Sequence, residues 1–428
     1  MVINKSTVFK AAVIVVSLYI LGYLDLVMPP GNTDMFRVIC GIIAIVLALA
    51  VLCVSNKGPE YKRNVKFANL FFALYIPIII LTSVLSVIWY KYKLVSALAI
   101  IMPYCFPLYA YPLVYIFSMD RSYERFTKVI VALVVIILSI KAVGWYLYNY
   151  RGVTIFPNLI LRHSAEWVRN GVLRVDVGAL YGVALCYLLS KFFVNKKRRY
   201  GVLAAGMMLF VVFITQYRYL EIVMLLCALL VYLTSTDSSK SKLIRILILA
   251  AMVIAFIALG GLDAILASFS VKNEEYGSSN EARVLTINYF WETMNPFQHI
   301  VGLGFVYSGY SARATAVLTR SSTLQYWMED IGILGGFFTF GMLSFLIYVP
   351  LFYRSVKACV LAIRNKFSDR AYLTSLVGYM ILCCIMLNIL DRQRLFDTAF
   401  YIALISYLSA MSERQRSPSP LLEEKINR

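Results

Sequence analysis

Apolar stretches long enough to cross a bilayer recur from one end of the chain to the other. At about 1.5 Å of rise per residue, a helix needs about 20 apolar residues to cross about 30 Å of hydrocarbon. Such runs lie near 8–28, 36–54, 67–90, 94–118, 126–149, 176–194, 200–217, 219–235, 243–267, 326–353, 372–391 and 395–412. They predict an all-α integral membrane protein of about twelve transmembrane helices. Residues 1–412 form a single polytopic membrane domain and 413–428 a cytoplasmic tail. The composition agrees: 61% of residues are hydrophobic and 15% charged, unlike a soluble domain. No small-residue cleavage site follows the first run, so it is read as an anchor and not a signal peptide.

Orientation follows from lysine and arginine, which concentrate in cytoplasmic loops. With both termini in the cytoplasm, 26 of the 41 basic residues fall on that side, including "KKRR" at 196–199 and "KSK" at 240–242. The net charge of +19 is therefore topology, and nucleic acid is not an expected partner. The outer side differs in kind. Its 14 basic residues are 11 arginines and 3 lysines. Arginine presents a bidentate fork to phosphate and keeps its charge when partly desolvated. This bias predicts an anionic ligand, plausibly a phosphate, at the outer leaflet; interfacial snorkelling is the plainer explanation for any one arginine. The eight cysteines lie in spans or on the cytoplasmic side, so no disulfide framework is implied. No Cys or His cluster has metal-ligand spacing.

Two outer connections are long, about 150–175 and 268–325. Trp167 and Trp291 fall in them, where stacking on a sugar ring is one reading and an interfacial belt the other. In "SSNEARVLTINYFWETMNP", Ser278 and Glu281 stand at capping-box spacing. Val284, Ile287, Trp291 and Met294 then mark one face of an amphipathic helix that Pro296 ends. Gly302 and Gly304 in "HIVGLGFVYSGY" permit a tight turn.

The run Gly201–Ser235 is too long for one span. It must fold as two helices turning on the outer side, at Arg218 in "FITQYRYLEIVMLL". A charge at that depth is costly; Glu221, three residues on, would offset it.

Three stretches resemble the bacterial O-antigen polymerase and ligase superfamily, membrane glycosyltransferases with a GT-C-like fold. They are "FITQYRYLEIVMLL", "EARVLTINYFWETMNPFQHIVGLGF" and "RSSTLQYWMEDIGILGG", with a weaker match in "LRVDVGALYG". Arg218, Arg283 and Arg174 fall in register with the family's arginines. Ligases of this superfamily carry a His-Asn pair ahead of the acidic residue of the last motif; here Ser321 and Ser322 stand in its place. The resemblance thus implies a polymerase, of the Wzy type, which joins undecaprenyl-pyrophosphate-linked repeat units at the periplasmic face of the inner membrane. Its partners would be those lipid-linked glycans, membrane lipid and a chain-length regulator.

Such a reaction needs cations at the leaving pyrophosphate. Arg218 and Arg283 are the candidates, supported by Arg174, Arg320 and Arg392. It also needs a base near the acceptor hydroxyl: Glu329, Asp330, His299 or Asp391. Each has a plainer reading. His299 can satisfy local polar groups, and Glu329 and Asp330 can pair with Arg320. The outer acids are scattered, so neither metal nor cofactor is expected. The competing readings are an O-antigen ligase, a lipid-linked oligosaccharide flippase, and a GT-C enzyme using a lipid-monophosphate donor through Asp25 and Asp34. No internal repeat supports a transporter.

Overall fold

The computed structural model of the chain describes residues 5–26, 33–53, 58–119, 122–161, 167–169, 171–236, 277–321 and 324–415. The expected span near 243–267 lies outside them. The side chain of Arg320 does too.

The described chain is almost wholly helical: α1 Lys5–Ile20, α2 Thr33–Cys53, α3 Pro59–Asn64, α4 Lys66–Tyr90, α5 Leu94–Ile101, α6 Ala110–Ser118, α7 Ser122–Arg151, α8 Pro157–Ile160, α9 Tyr181–Asn195, α10 Arg198–Phe210 and α11 Arg218–Thr234. There follow α12 Gly277–Thr293, α13 Pro296–Val301, α14 Ala312–Leu318, α15 Ile333–Phe340, α16 Leu343–Arg364, α17 Arg370–Met386 and α18 Leu395–Arg414. Two small antiparallel hairpins, β1 Val168–Arg169 with β2 Val172–Leu173 and β3 Thr319–Ser321 with β4 Leu324–Gln325, are the only described sheet. Among the described residues, six segments are long and apolar enough to cross a membrane. The protein is an all-α membrane protein.

Helix α18 runs through the centre. Every residue from Thr398 to Leu408 is buried, although a lipid-facing helix would expose one side. Helix α16 does so: Phe345, Leu346, Val349, Tyr353, Val356 and Val360 are exposed at helical spacing, which marks its lipid face.

Two spans depart from the sequence reading. The run near 94–118 is broken in the middle, where Met102–Tyr109 is a 3₁₀ segment. Prolines at 103, 107 and 112 remove the donors that a continuous α-helix needs. The carbonyl of Tyr104 would face the nitrogen of residue 107 in a 3₁₀ ladder, but Pro107 has no N–H. The buried Tyr75 hydroxyl donates to that carbonyl instead, at 2.8 Å. The expected span at 326–353 is not one helix either. The chain turns at Gly341 (φ 61°), between short α15 and the spanning α16. Trp327, Glu329 and Asp330 therefore lie outside the span, in the connection that precedes α15.

The run 201–235 folds as anticipated. Helix α10 continues through a π turn at Val211–Thr215, reverses at Gln216 (φ 52°), and resumes as α11 with Arg218 its first residue.

In the second long connection the helix is present but its packed face is rotated. Thr286, Phe290 and Met294 are buried, whereas Val284 and Trp291 are about half exposed. Of the expected Val284–Ile287–Trp291–Met294 face, Met294 is buried and Ile287 packs against the core, while Val284 and Trp291 turn outward. Helix α12 begins at Gly277, one residue before the expected Ser278. Pro296 does not merely end α12; it is the first residue of α13. There Asn295 and Gln298 form a reciprocal capping box, at 2.9 and 3.0 Å.

Candidate functional site

Beyond α13 the chain passes as an extended segment between α4 and α15. Gly302 and Gly304 have φ of 84° and 81°, and a methyl on Gly302 would stand 2.1 Å from the Thr339 carbonyl. Only glycine allows this approach. Leu303 and Gly304 donate to the Phe338 and Thr339 carbonyls, at 2.7 and 3.0 Å. From the other side, the hydroxyls of Tyr90 and Tyr92 donate to the Leu303 and Phe305 carbonyls, at 2.6 and 2.9 Å. This double anchoring fixes Tyr307, whose hydroxyl lies 2.8 Å from that of Tyr104 on the proline-broken segment.

The segment forms one wall of a cavity of about 290 Å³. Aromatic walls come from Tyr104, Tyr307, Tyr310, Tyr326 and Trp327; polar groups come from Glu329, Asn388, Asp391, Arg392 and Gln393. Four of these polar residues belong to the turn before α18. Within that turn Asp391 is buried and paired with Arg394 at 2.7 Å. Arg392 lies over the Tyr307 ring, 5.2 Å from its centroid, with Nη2 3.4 Å from the Ala99 carbonyl. Gln393 donates through Nε2 to the Glu329 carboxylate.

Glu329 is half-buried. Desolvation, reinforced by the charges of Asp391 and Asp330, pushes its carboxyl up to about 8, against the opposing pull of Arg394 and the Gln393 hydrogen bond. A carboxyl poised near neutrality in a cavity suits proton transfer. Asp330, its neighbour, is exposed and does not line the cavity.

Arg283 stands at the turn that bears Glu329. Arg283 on α12 donates through Nε to the Asp330 carbonyl at 3.3 Å. Tyr217, which precedes Arg218 at the hairpin tip, feels the charges of Arg283, Arg394 and Asp330. Arg283 therefore meets the Met328–Asp330 turn, and Tyr217 brings the hairpin tip within reach of the Arg283 charge. Arg218 opens α11, where the helix dipole is already positive; its charge acts on Glu221, as the spacing implied. The first long connection joins the same region. Arg169 donates to the Gln216 carbonyl at 2.9 Å, and Thr215 donates to that of Val175 at 2.8 Å. Arg174 lies between these contacts in sequence, its guanidinium 4.7 Å from the centre of the Trp167 ring.

Two expected residues sit elsewhere. His299 Nδ1 is 3.0 Å from the Asn295 carbonyl, and its ring packs on Trp291. Trp291 in turn stacks on Phe337 at 5.8 Å. Neither lines the cavity. The tyrosines, Trp327, Asn388, Gln393 and Arg394 were not among the expected site residues. One signal was available for the last three: "NILDRQRLFD" is a dense polar cluster between two apolar runs.

No protein-family model matches the chain, and no characterised protein does.

Proposed function

We propose that the protein is a glycosyltransferase that polymerises undecaprenyl-pyrophosphate-linked oligosaccharide repeat units into O-antigen or a related surface polysaccharide. The observation that carries this reading is Arg283 held on the Asp330 carbonyl, at the turn that places Glu329 in the cavity. Arg218 and Arg283 hold the leaving lipid pyrophosphate; their fixed charge offsets the anion that develops as the glycosidic bond breaks. Glu329, ionised, takes the proton from the acceptor hydroxyl as that oxygen attacks the anomeric carbon. Among the four candidate bases, Glu329 is favoured because it lines the cavity and its carboxyl is tuned upward. His299 is held at Asn295, Asp391 at Arg394, and Asp330 lies outside the cavity. Arg174 and Trp167 support the hairpin tip.

The orientation belongs to the same proposal. Twelve spans in a GT-C-like arrangement, with both termini cytoplasmic, put the cavity at the periplasmic face of the inner membrane. Neutralisation by arginine needs no divalent ion, so chain growth continues in EDTA.

The test is the glycan ladder of a strain lacking the gene. Single repeats capped on lipid A are expected. Uncapped lipid A would instead identify a ligase, and an unchanged ladder would refute both.

A further inference from the structure

The cavity and the arginines have different chemistry, so they bind different parts of a substrate. We infer that the cavity is a subsite for a single sugar ring, held on aromatic faces with a hydroxyl toward Glu329. The role of that ring as the acceptor rests on the polymerase reading; the binding of a ring does not.

Size comes first. About 290 Å³ is the volume of roughly ten waters. It lies near the lower bound of small-molecule sites, about 300 Å³. One ring fits within it.

Lining chemistry then discriminates among the parts of a lipid-linked glycan. A hydrocarbon tail would cover the Glu329 carboxylate, which has more acceptor positions than its one bond from Gln393 fills, without offering it a hydrogen bond, at a cost of about 1–3 kcal/mol. A phosphate would meet two carboxylates. The cations nearby are already engaged: Arg394 with Asp391, and Arg392 with the Tyr307 face and the Ala99 carbonyl. A sugar ring answers both kinds of wall at once. Its C–H faces lie against aromatic rings, and its hydroxyls donate to carboxylates and exchange hydrogen bonds with amides.

The aromatic walls are built to hold still. Tyr104 is stacked on Phe305 at 4.0 Å, and Tyr326 on Tyr289 at 4.4 Å. A ring binding there meets pre-positioned surfaces and loses little side-chain freedom in doing so. Trp327 is half exposed at the cavity, where a ligand would cover it. This moves the sugar-stacking role from Trp291 and Trp167, which pack on Phe337 and Arg174, to Trp327.

The experiment is saturation-transfer NMR on the full-length protein in nanodiscs. The probes are methyl glycosides of glucose, galactose, mannose and N-acetylglucosamine. At least one should receive saturation. Trp327→Ala should weaken that signal at least tenfold, and Trp89→Phe, which does not line the cavity, should leave it. Glu329→Gln, close in shape, should weaken it too if Trp327→Ala fails to fold. Inorganic pyrophosphate should not compete. Transfer to none of the probes, loss in Trp291→Ala but not in Trp327→Ala, or competition by pyrophosphate would each overturn the assignment. Transfer that follows the cavity variants, with an unchanged ladder in Arg218→Ala cells, would support the sugar site while refuting polymerisation. A lost ladder with no transfer would do the reverse.

Discussion

Arg394 Nη1 lies 2.7 Å from Asp391 Oδ2 across one turn at the start of α18, and both charges act on Glu329 from opposite directions. Asp391 raises the Glu329 carboxyl and Arg394 lowers it. Burial does most to raise the carboxyl, and the pair adjusts its proton affinity in opposite senses.

Asp391→Asn is expected to move the acid limb of polymerisation to lower pH. It removes a charge that raises Glu329, and it releases Arg394, which lowers it; both changes have the same sign. Breaking a buried pair also destabilises, here by about 3 kcal/mol. A pH profile of chain growth in membranes separates the two effects. A profile unmoved beside reduced stability would make Asp391 structural only.

Polymerisation by the native enzyme should rise with pH through about 8, as Glu329 ionises. Stability has the opposite slope. A carboxyl raised on folding binds its proton more tightly in the folded state, so its contribution falls as pH rises from its ordinary value toward about 8. Glu329→Gln should lower activity by about 10²–10⁴-fold above about pH 8, by less at lower pH where the native carboxyl is already protonated, and flatten that stability slope. A melting series at pH 5 to 9 in detergent, beside the activity profile, checks both.

Lys141 falls well inside the run near 126–149. It is buried there with its Nζ 2.7 Å from Asp176 Oδ1 and 2.9 Å from the Asp176 carbonyl. Asp176 is two residues past Arg174, so the pair ties the connection bearing Arg174 to α7. Lys141→Met alone should cost about 3–5 kcal/mol, because it leaves a carboxylate in a poor solvent. The double variant with Asp176→Leu should recover part of this loss. Thermal unfolding in micelles would measure it, and a double variant weaker than the single would argue against the pairing.

Gly302→Ala should abolish polymer while the protein still inserts. The methyl would meet the Thr339 carbonyl, and the left-handed backbone adds about 1–3 kcal/mol of strain. The segment that carries Tyr307 would have to move. Normal polymer in this variant would detach the segment from the site.

How legible was this in the sequence? The hairpin at Arg218 was readable because helix rise and bilayer thickness leave a run of that length no alternative. The break at Gly341 was not, because apolar composition continues across it and only φ at one glycine interrupts the helix. That error hid Trp327 inside a presumed span. The face of α12 was misjudged for a related reason. Near a membrane, apolar side chains are stable facing lipid, so spacing alone does not say that Phe290 packs inward and Trp291 outward. The cavity itself depends on Tyr104, Tyr307, Trp327 and Asn388, which are far apart in the chain. Three prolines and two glycines bring them together by bending the backbone, and hydropathy does not register those bends.

The central claim is that Arg218 and Arg283 carry the leaving pyrophosphate. The most direct measurement is the glycan ladder of cells expressing Arg218→Ala or Arg283→Ala, with each protein quantified in the membrane. Long-chain glycan should be absent from both, and the Lys variants should restore only a fraction, because the bidentate fork is lost. A normal ladder in both Ala variants at normal membrane abundance would contradict the account.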